Sequence, residues 1–193
     1  LNAYEVPEGK RTSKGTAIVN LLQLNPGEKI ARTISFNTDS KENDDLKYLL
    51  FATKSGIVKK TPISDFKNIN KSGLIAINLK DGDELIGVNR TSGEEDIILV
   101  TENGMSIRFN ENDVRAMGRT ATGVKGITLS KGDQVVSMDL ISNGSDLLVV
   151  SEKGFGKRTE TEEYRPQIRA GKGIKTYNIN SKTGKLVGAT LVN

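Results

Sequence analysis

Leu49-Leu50-Phe51-Ala52-Thr53-Lys54-Ser55-Gly56 returns as Ile98-Leu99-Val100-Thr101-Glu102-Asn103-Gly104 and again as Leu148-Val149-Val150-Ser151-Glu152-Lys153-Gly154. The glycines that end these stretches stand 48 and 50 residues apart. A second series, Gly73, Gly123 and Gly173, follows the first by 17, 19 and 19 residues, and Gly15 is an earlier member. A fixed period near 50 marks an array of like units, so the repeat governs every other reading. Four units result: residues 1–46, 47–95, 96–145 and 146–193. The first lacks an opening hairpin, which is expected before Leu1.

Within a unit, short runs of Val, Ile, Leu and Thr are punctuated by glycine or Asp-Gly, the pattern of strands and hairpins. Each unit reads as a four-stranded meander, in the second Tyr48 to Thr53, Ile57 to Thr61, Leu74 to Leu79 and Glu84 to Arg90. The turns at Lys54-Ser55-Gly56 and Lys80-Asp81-Gly82 place glycine where a tight hairpin needs a positive φ. A loop of about a dozen residues joins second strand to third, with single helical turns expected at Asp113 to Met117 and Thr161 to Tyr164. The acidic stretch Asn37 to Leu46 reads as a solvated linker. Four-stranded units at this period predict an all-β, propeller-like disc, in which radial blades leave only short sheet edges. A solenoid is the competing arrangement, but its repeats are usually shorter.

Composition removes several chemistries. The 193 residues contain no Cys, His or Trp, which excludes thiol or imidazole catalysis, Cys/His zinc sites and disulfides. No run of about 18 apolar residues and no signal-peptide succession occurs, so no membrane partner is expected. No Gly-Lys pair is followed by Ser or Thr, and the remaining glycine pairs lack a dinucleotide loop's third glycine. Adjacent carboxylates such as Glu162-Glu163 read as solvated charges, so no catalytic, cofactor or metal residue is assigned.

Net charge is only +4, so its distribution matters more than its size. By unit it is −1, +2, −1 and +4. Basic residues recur in phase. Four residues after the first glycine stand Lys60, Arg108 and Arg158, and one residue earlier stand Lys59, Ile107 and Lys157. Arg11, Ile69, Arg119 and Arg169 lie four before the second glycine, and Lys14, Lys71 and Lys172 one or two before it. Lys125 and Lys175 follow it by two. In a radial array these positions predict a basic rim, with acidic residues segregated to hairpin turns such as Asp81-Gly82-Asp83-Glu84. Such a rim suits a polyanion. The nine aromatics fall mostly in apolar strands, which argues against base-stacking platforms and for duplex DNA held by its backbone and bent. A propeller-like protein-interaction scaffold is the alternative, though Trp-Asp blade signatures are missing.

Tyr4 to Leu22, YEVPEGKRTSKGTAIVNLL, together with the strand-turn-glycine template over nearly the whole chain, resembles the C-terminal domain of the A subunit of bacterial DNA gyrase, more closely than its topoisomerase IV counterpart. The resemblance implies a β-pinwheel, a propeller variant whose basic rim wraps duplex DNA without catalytic residues of its own. It also implies a bacterial cytoplasmic holoenzyme, a topoisomerase that introduces negative supercoils. There the partners are the N-terminal part of the gyrase A subunit, which carries the DNA-cutting chemistry, plus the gyrase B subunit, which supplies ATP and magnesium. The family's signature heptapeptide, Gln-Arg-Arg-Gly-Gly-Lys-Gly, belongs to the first blade and is expected upstream of Leu1. Gln167-Ile168-Arg169-Ala170-Gly171-Lys172-Gly173 is its degenerate sister, departing at Ile168 and Ala170.

Overall fold

The computed structural model describes residues 3–22, 24, 27–35, 46–67 and 73–193. Lys71 and residues 37–45 of the expected linker lie outside them. The regular elements are β-strands and single 3₁₀ turns. Strand β1 is Tyr48–Thr53, β2 Ile57–Pro62, β3 Leu85–Thr91, β4 Asp96–Thr101, β5 Met105–Asn110 and β6 Val124–Lys125. They are followed by β7 (Val135–Leu140), β8 (Asp146–Ser151), β9 (Gly156–Glu160), β10 (Ile174–Lys175) and β11 (Leu186–Val192). Among the described residues no helix is long and apolar enough to cross a membrane.

Three antiparallel sheets form, with strand orders β3-β1-β2-β6, β10-β5-β4-β7 and β11-β8-β9. The central strands β1 and β4 are apolar at nearly every position because both sheet faces are covered. Successive residues serve different neighbours. Leu50 and Ala52 join Ile97, Leu99, Ile107 and Phe109 between the first and second sheets, whereas Leu49 and Phe51 face Phe66 and Val88 on the other side. Ile98 and Val100 in turn meet Leu147, Val149, Leu186 and Leu191 of the third sheet. The sheets are thus stacked blades. Strands β3, β7 and β11, an edge strand from each sheet, lie side by side along one edge of the stack, lining a cleft that Arg32 of the first unit also reaches.

The expected meander is corrected in one respect. Leu74 to Leu79 forms no strand, and the third strand of each later unit is two residues long and leaves its own unit. β6 of the third unit pairs with β2 of the second, Val124 opposite Val58, and β10 of the fourth pairs with β5 of the third, Ile174 opposite Ser106. Each of the first two blades is therefore three strands of one unit plus one from the next, while the third sheet has its own three strands alone. Two members of the second glycine series fit this exchange. Gly123 and Gly173 adopt φ of +108° and +75°, and a Cβ there would run into the carbonyl oxygens of Val58 and Ser106 respectively. Gly123→Ala is expected to cost about 2 kcal/mol from left-handed strain alone, more with the collision, and chemical denaturation would measure it.

The helical turns fall at Ile63–Phe66, Glu111–Asp113 and Thr161–Glu163, directly after the second strands. The third-unit turn is thus displaced toward the strand from its expected place. Met117 instead lies outside the turn, its N–H donating to the Lys60 carbonyl at 2.8 Å.

Candidate nucleic-acid interface

The in-phase cations divide into two sets that sequence alone does not separate. Those three and four residues after the first glycine lie on β2, β5 and β9, and on β2 and β5 the following unit's loop is laid down. Lys60 is buried, donating to the Glu111 carbonyl oxygen at 2.9 Å and standing 3.7 Å from the Glu111 carboxylate and 5.2 Å from the Tyr48 ring centre. Lys59 has 0% exposure and spans two units, its Nζ donating to the carbonyls of Ala76 at 2.5 Å and Arg119 at 2.6 Å. Arg108 donates to Asp96 at 2.8 Å and to the Thr161 and Tyr164 carbonyls of the fourth unit at 3.1 and 3.3 Å. These residues join blades. The expectation that Lys59 and Lys60 contact DNA is corrected, because neither is accessible and backbone carbonyls occupy both ammonium groups.

Arg158 makes the same hairpin pair, its Nε 2.6 Å from Asp146, but its side chain is 54% exposed against 19% for Arg108. Lys157, the sister of Lys59, is exposed. The partner carboxylates also correct the expected segregation of charge. Asp96 and Asp146 stand twelve residues before Arg108 and Arg158. Arg108 pairs in register with Ile98, so Asp96 is its diagonal neighbour on the same sheet face. In the second unit that place holds Tyr48, and the carboxylate is supplied from the next unit by Glu111.

Burial pushes Lys59 from 10.5 down to about 8, against the pull of Asp65 and with Arg119 adding to the fall. The folded chain therefore holds this proton less tightly than the unfolded chain does. Below about 8 the fold bears the full cost of a buried charge, and the cost fades as pH rises from about 8 to 10.5. The stability of the wild type relative to Lys59→Met should rise across that window by on the order of 2 kcal/mol, as read by urea unfolding at a series of pH values.

The second set lies on the long loops and the exchanged strands. Lys125, Lys172 and Lys175 are exposed, without a carboxylate partner among the described residues. Loop docking brings members of successive units together. The Arg169 guanidinium donates to the carbonyls of Asp113 at 2.8 Å and Lys125 at 2.9 Å, so the fourth unit's loop lies on the third unit's exchanged strand. Arg119 is half-buried, with its carbonyl bound by Lys59. Arg11 and Lys14 are exposed in the first unit. Sequence reading missed Arg115 and Arg165, both exposed and 50 residues apart at the start of these loops. Their spacing equals the repeat and follows the buried Val114 and Tyr164, so the signal was present.

A strand-exchanged blade array with basic connecting loops matches a known family. Residues 1–37, 47–92, 95–142 and 145–193 fit the family model described as DNA gyrase C-terminal domain, beta-propeller. The chain belongs to the DNA gyrase C-terminal domain family. It is 57% identical over 192 residues to the A subunit of DNA gyrase from Clostridium acetobutylicum, covering all of this chain and 23% of that protein. With the A subunit of the Halalkalibacterium halodurans gyrase it shares 52% over 126 residues, which is 65% of this chain and 15% of that one. The chain thus spans about a quarter or less of these relatives. Among solved structures, the C-terminal domain of a DNA topoisomerase IV superposes with a TM-score of 0.88 at 30% identity, covering 98% of this chain and 58% of that one. A DNA gyrase A C-terminal domain superposes at 0.80 and 32%, covering 100% and 61%.

Proposed function

We propose that this chain holds duplex DNA along its loop-borne cations and bends it around the stacked blades. The observation that supports this most is the docking of Arg169 on the Lys125 carbonyl, which sets the cationic loop of one blade against the exchanged strand of the previous one. The duplex is held mainly by its phosphates, since none of these loops carries a recognition helix or a β-ribbon. The holoenzyme of the bacterial cytoplasm adds the N-terminal part of the gyrase A subunit, together with a gyrase B subunit that supplies ATP and magnesium. There the bend would present one DNA segment to another in a preferred sense.

The test is a salt titration of duplex binding by fluorescence anisotropy. Each phosphate released from a cation should flatten the slope of log affinity against log salt by about 0.9. Arg165→Glu, Lys172→Glu and Lys175→Glu together should therefore remove up to about three such increments. Lys131→Glu, in a hairpin turn, should change little. Unchanged affinity and slope in the triple variant would refute the reading.

A further inference from the structure

The sister loop Gln167–Gly173 holds a residue that phosphate binding does not use. Ile168 is 83% exposed. Exposed aliphatic side chains are common enough that this alone means little. Its mounting is what distinguishes it. The Gln167 N–H donates to the Arg108 carbonyl at 2.8 Å, and Arg169 grips Asp113 and Lys125. Ala170 donates to the Gly126 carbonyl at 2.6 Å and accepts from the Thr128 hydroxyl at 2.7 Å, while the Thr128 N–H reaches the Gly171 carbonyl at 2.8 Å. Ala170 has a φ of +68°, the one positive value at a non-glycine among the described residues. Strain of that kind persists only where the surroundings over-determine it. The loop is thus rigidly fastened on both sides of Ile168 and leaves that side chain in water. In the third unit the equivalent position is Gly118, which presents nothing.

A rigidly presented isoleucine flanked by Arg165, Arg169 and Lys172 suits a polyanion with apolar points on its surface. In duplex DNA these are the 5-methyl groups of thymine, which stand in the major groove. The minor groove is disfavoured by the sense of the bend. An apolar wedge entering there kinks the duplex toward its major groove and so away from the wedge, opposite to the curvature needed to follow the blades. We infer that Ile168 contacts thymine methyl groups in the major groove, giving the domain a preference for thymine-bearing segments where the duplex crosses the fourth unit. This rests on the DNA-binding reading above.

The experiment compares an A·T-rich duplex with the same duplex carrying uracil for thymine, which deletes only the methyl groups. Wild-type chain should bind the uracil duplex about fourfold more weakly per contacted methyl. Ile168→Ser should bind both duplexes alike, with the salt slope of the wild type. Ile168→Leu should restore the preference. A surface change of this kind should leave the unfolding midpoint in place, which checks the fold. Equal wild-type affinity for the two duplexes, or a preference that survives in Ile168→Ser, overturns the inference alone provided the triple charge reversal still weakens binding. If that reversal is also silent, the DNA reading falls and the inference with it.

Discussion

Glu111→Ala is expected to destabilise the fold by about 3–5 kcal/mol, more than any other single substitution proposed for this chain. The Glu111 carboxylate is fully buried and accepts from the Thr91 hydroxyl at 2.6 Å, the Gly93 N–H at 3.1 Å and the Glu95 N–H at 2.8 Å, with the buried Lys60 ammonium 3.7 Å away. Truncation leaves three donors without an acceptor and the buried ammonium without its counter-charge, held by the Glu111 backbone carbonyl. Glu111→Gln keeps the shape and loses the charge, so it should fall between wild type and alanine. Lys60→Met in the Glu111→Gln background should recover part of the loss, because the uncompensated ammonium is then removed. Denaturant midpoints for the four proteins would measure this, and a cost below about 1 kcal/mol for Glu111→Ala would show that the pair is solvated after all.

Arg108→Ala carries the second large effect, and its contrast with Arg158→Ala makes it diagnostic. The two arginines make the same hairpin pair with Asp96 and Asp146, but only Arg108 also donates to carbonyls of a following unit. Arg108→Ala should cost about 2–4 kcal/mol and leave Asp96 without its cation, with only the Asn110 amide donating to it at 2.9 Å. Arg158→Ala removes a more exposed side chain that makes no such contacts but leaves the buried Asp146 unpaired, so it should cost less, about 1–2 kcal/mol. In an array whose units touch only their neighbours, weakening one joint also lowers cooperativity. Thermal unfolding of Arg108→Ala should therefore broaden or split, whereas that of Arg158→Ala should stay a single sharp transition. Equal costs would mean that the carbonyl contacts contribute nothing.

The repeat was legible because period and hairpin chemistry are local. Gly56, Gly104 and Gly154 each have a positive φ of +78° to +80° at their hairpin turns, as their recurrence in sequence implies. Strand exchange was not legible, since Val124-Lys125 and Ile174-Lys175 carry the same residues whichever unit they pair with. Only the collision that a Cβ at Gly123 or Gly173 would suffer with the preceding blade fixes the partner. The cationic site was half legible. Recurrence found the in-phase lysines and arginines but could not tell a cation facing solvent from one facing a carbonyl. Lys59 and Lys172 look alike in sequence, and whether each is covered depends on where the next unit's loop lies. The diagonal register that joins Arg108 to Asp96 could have been drawn from the hairpin, and it would have moved that residue from rim to joint.

The exchanged strand also sets when a sheet can be completed as the polypeptide is synthesised. The sheet of β1, β2 and β3 is formed by Thr91, yet its fourth member begins at Val124. Until that later stretch emerges, the outer edge of Ile57–Pro62 is bare, an unpaired template open to a wrong strand or another nascent chain. The first two blades are each sealed by the unit that follows, so their maturation has to run from the amino-terminal end, and a slow codon placed between the two would prolong the exposure of that edge.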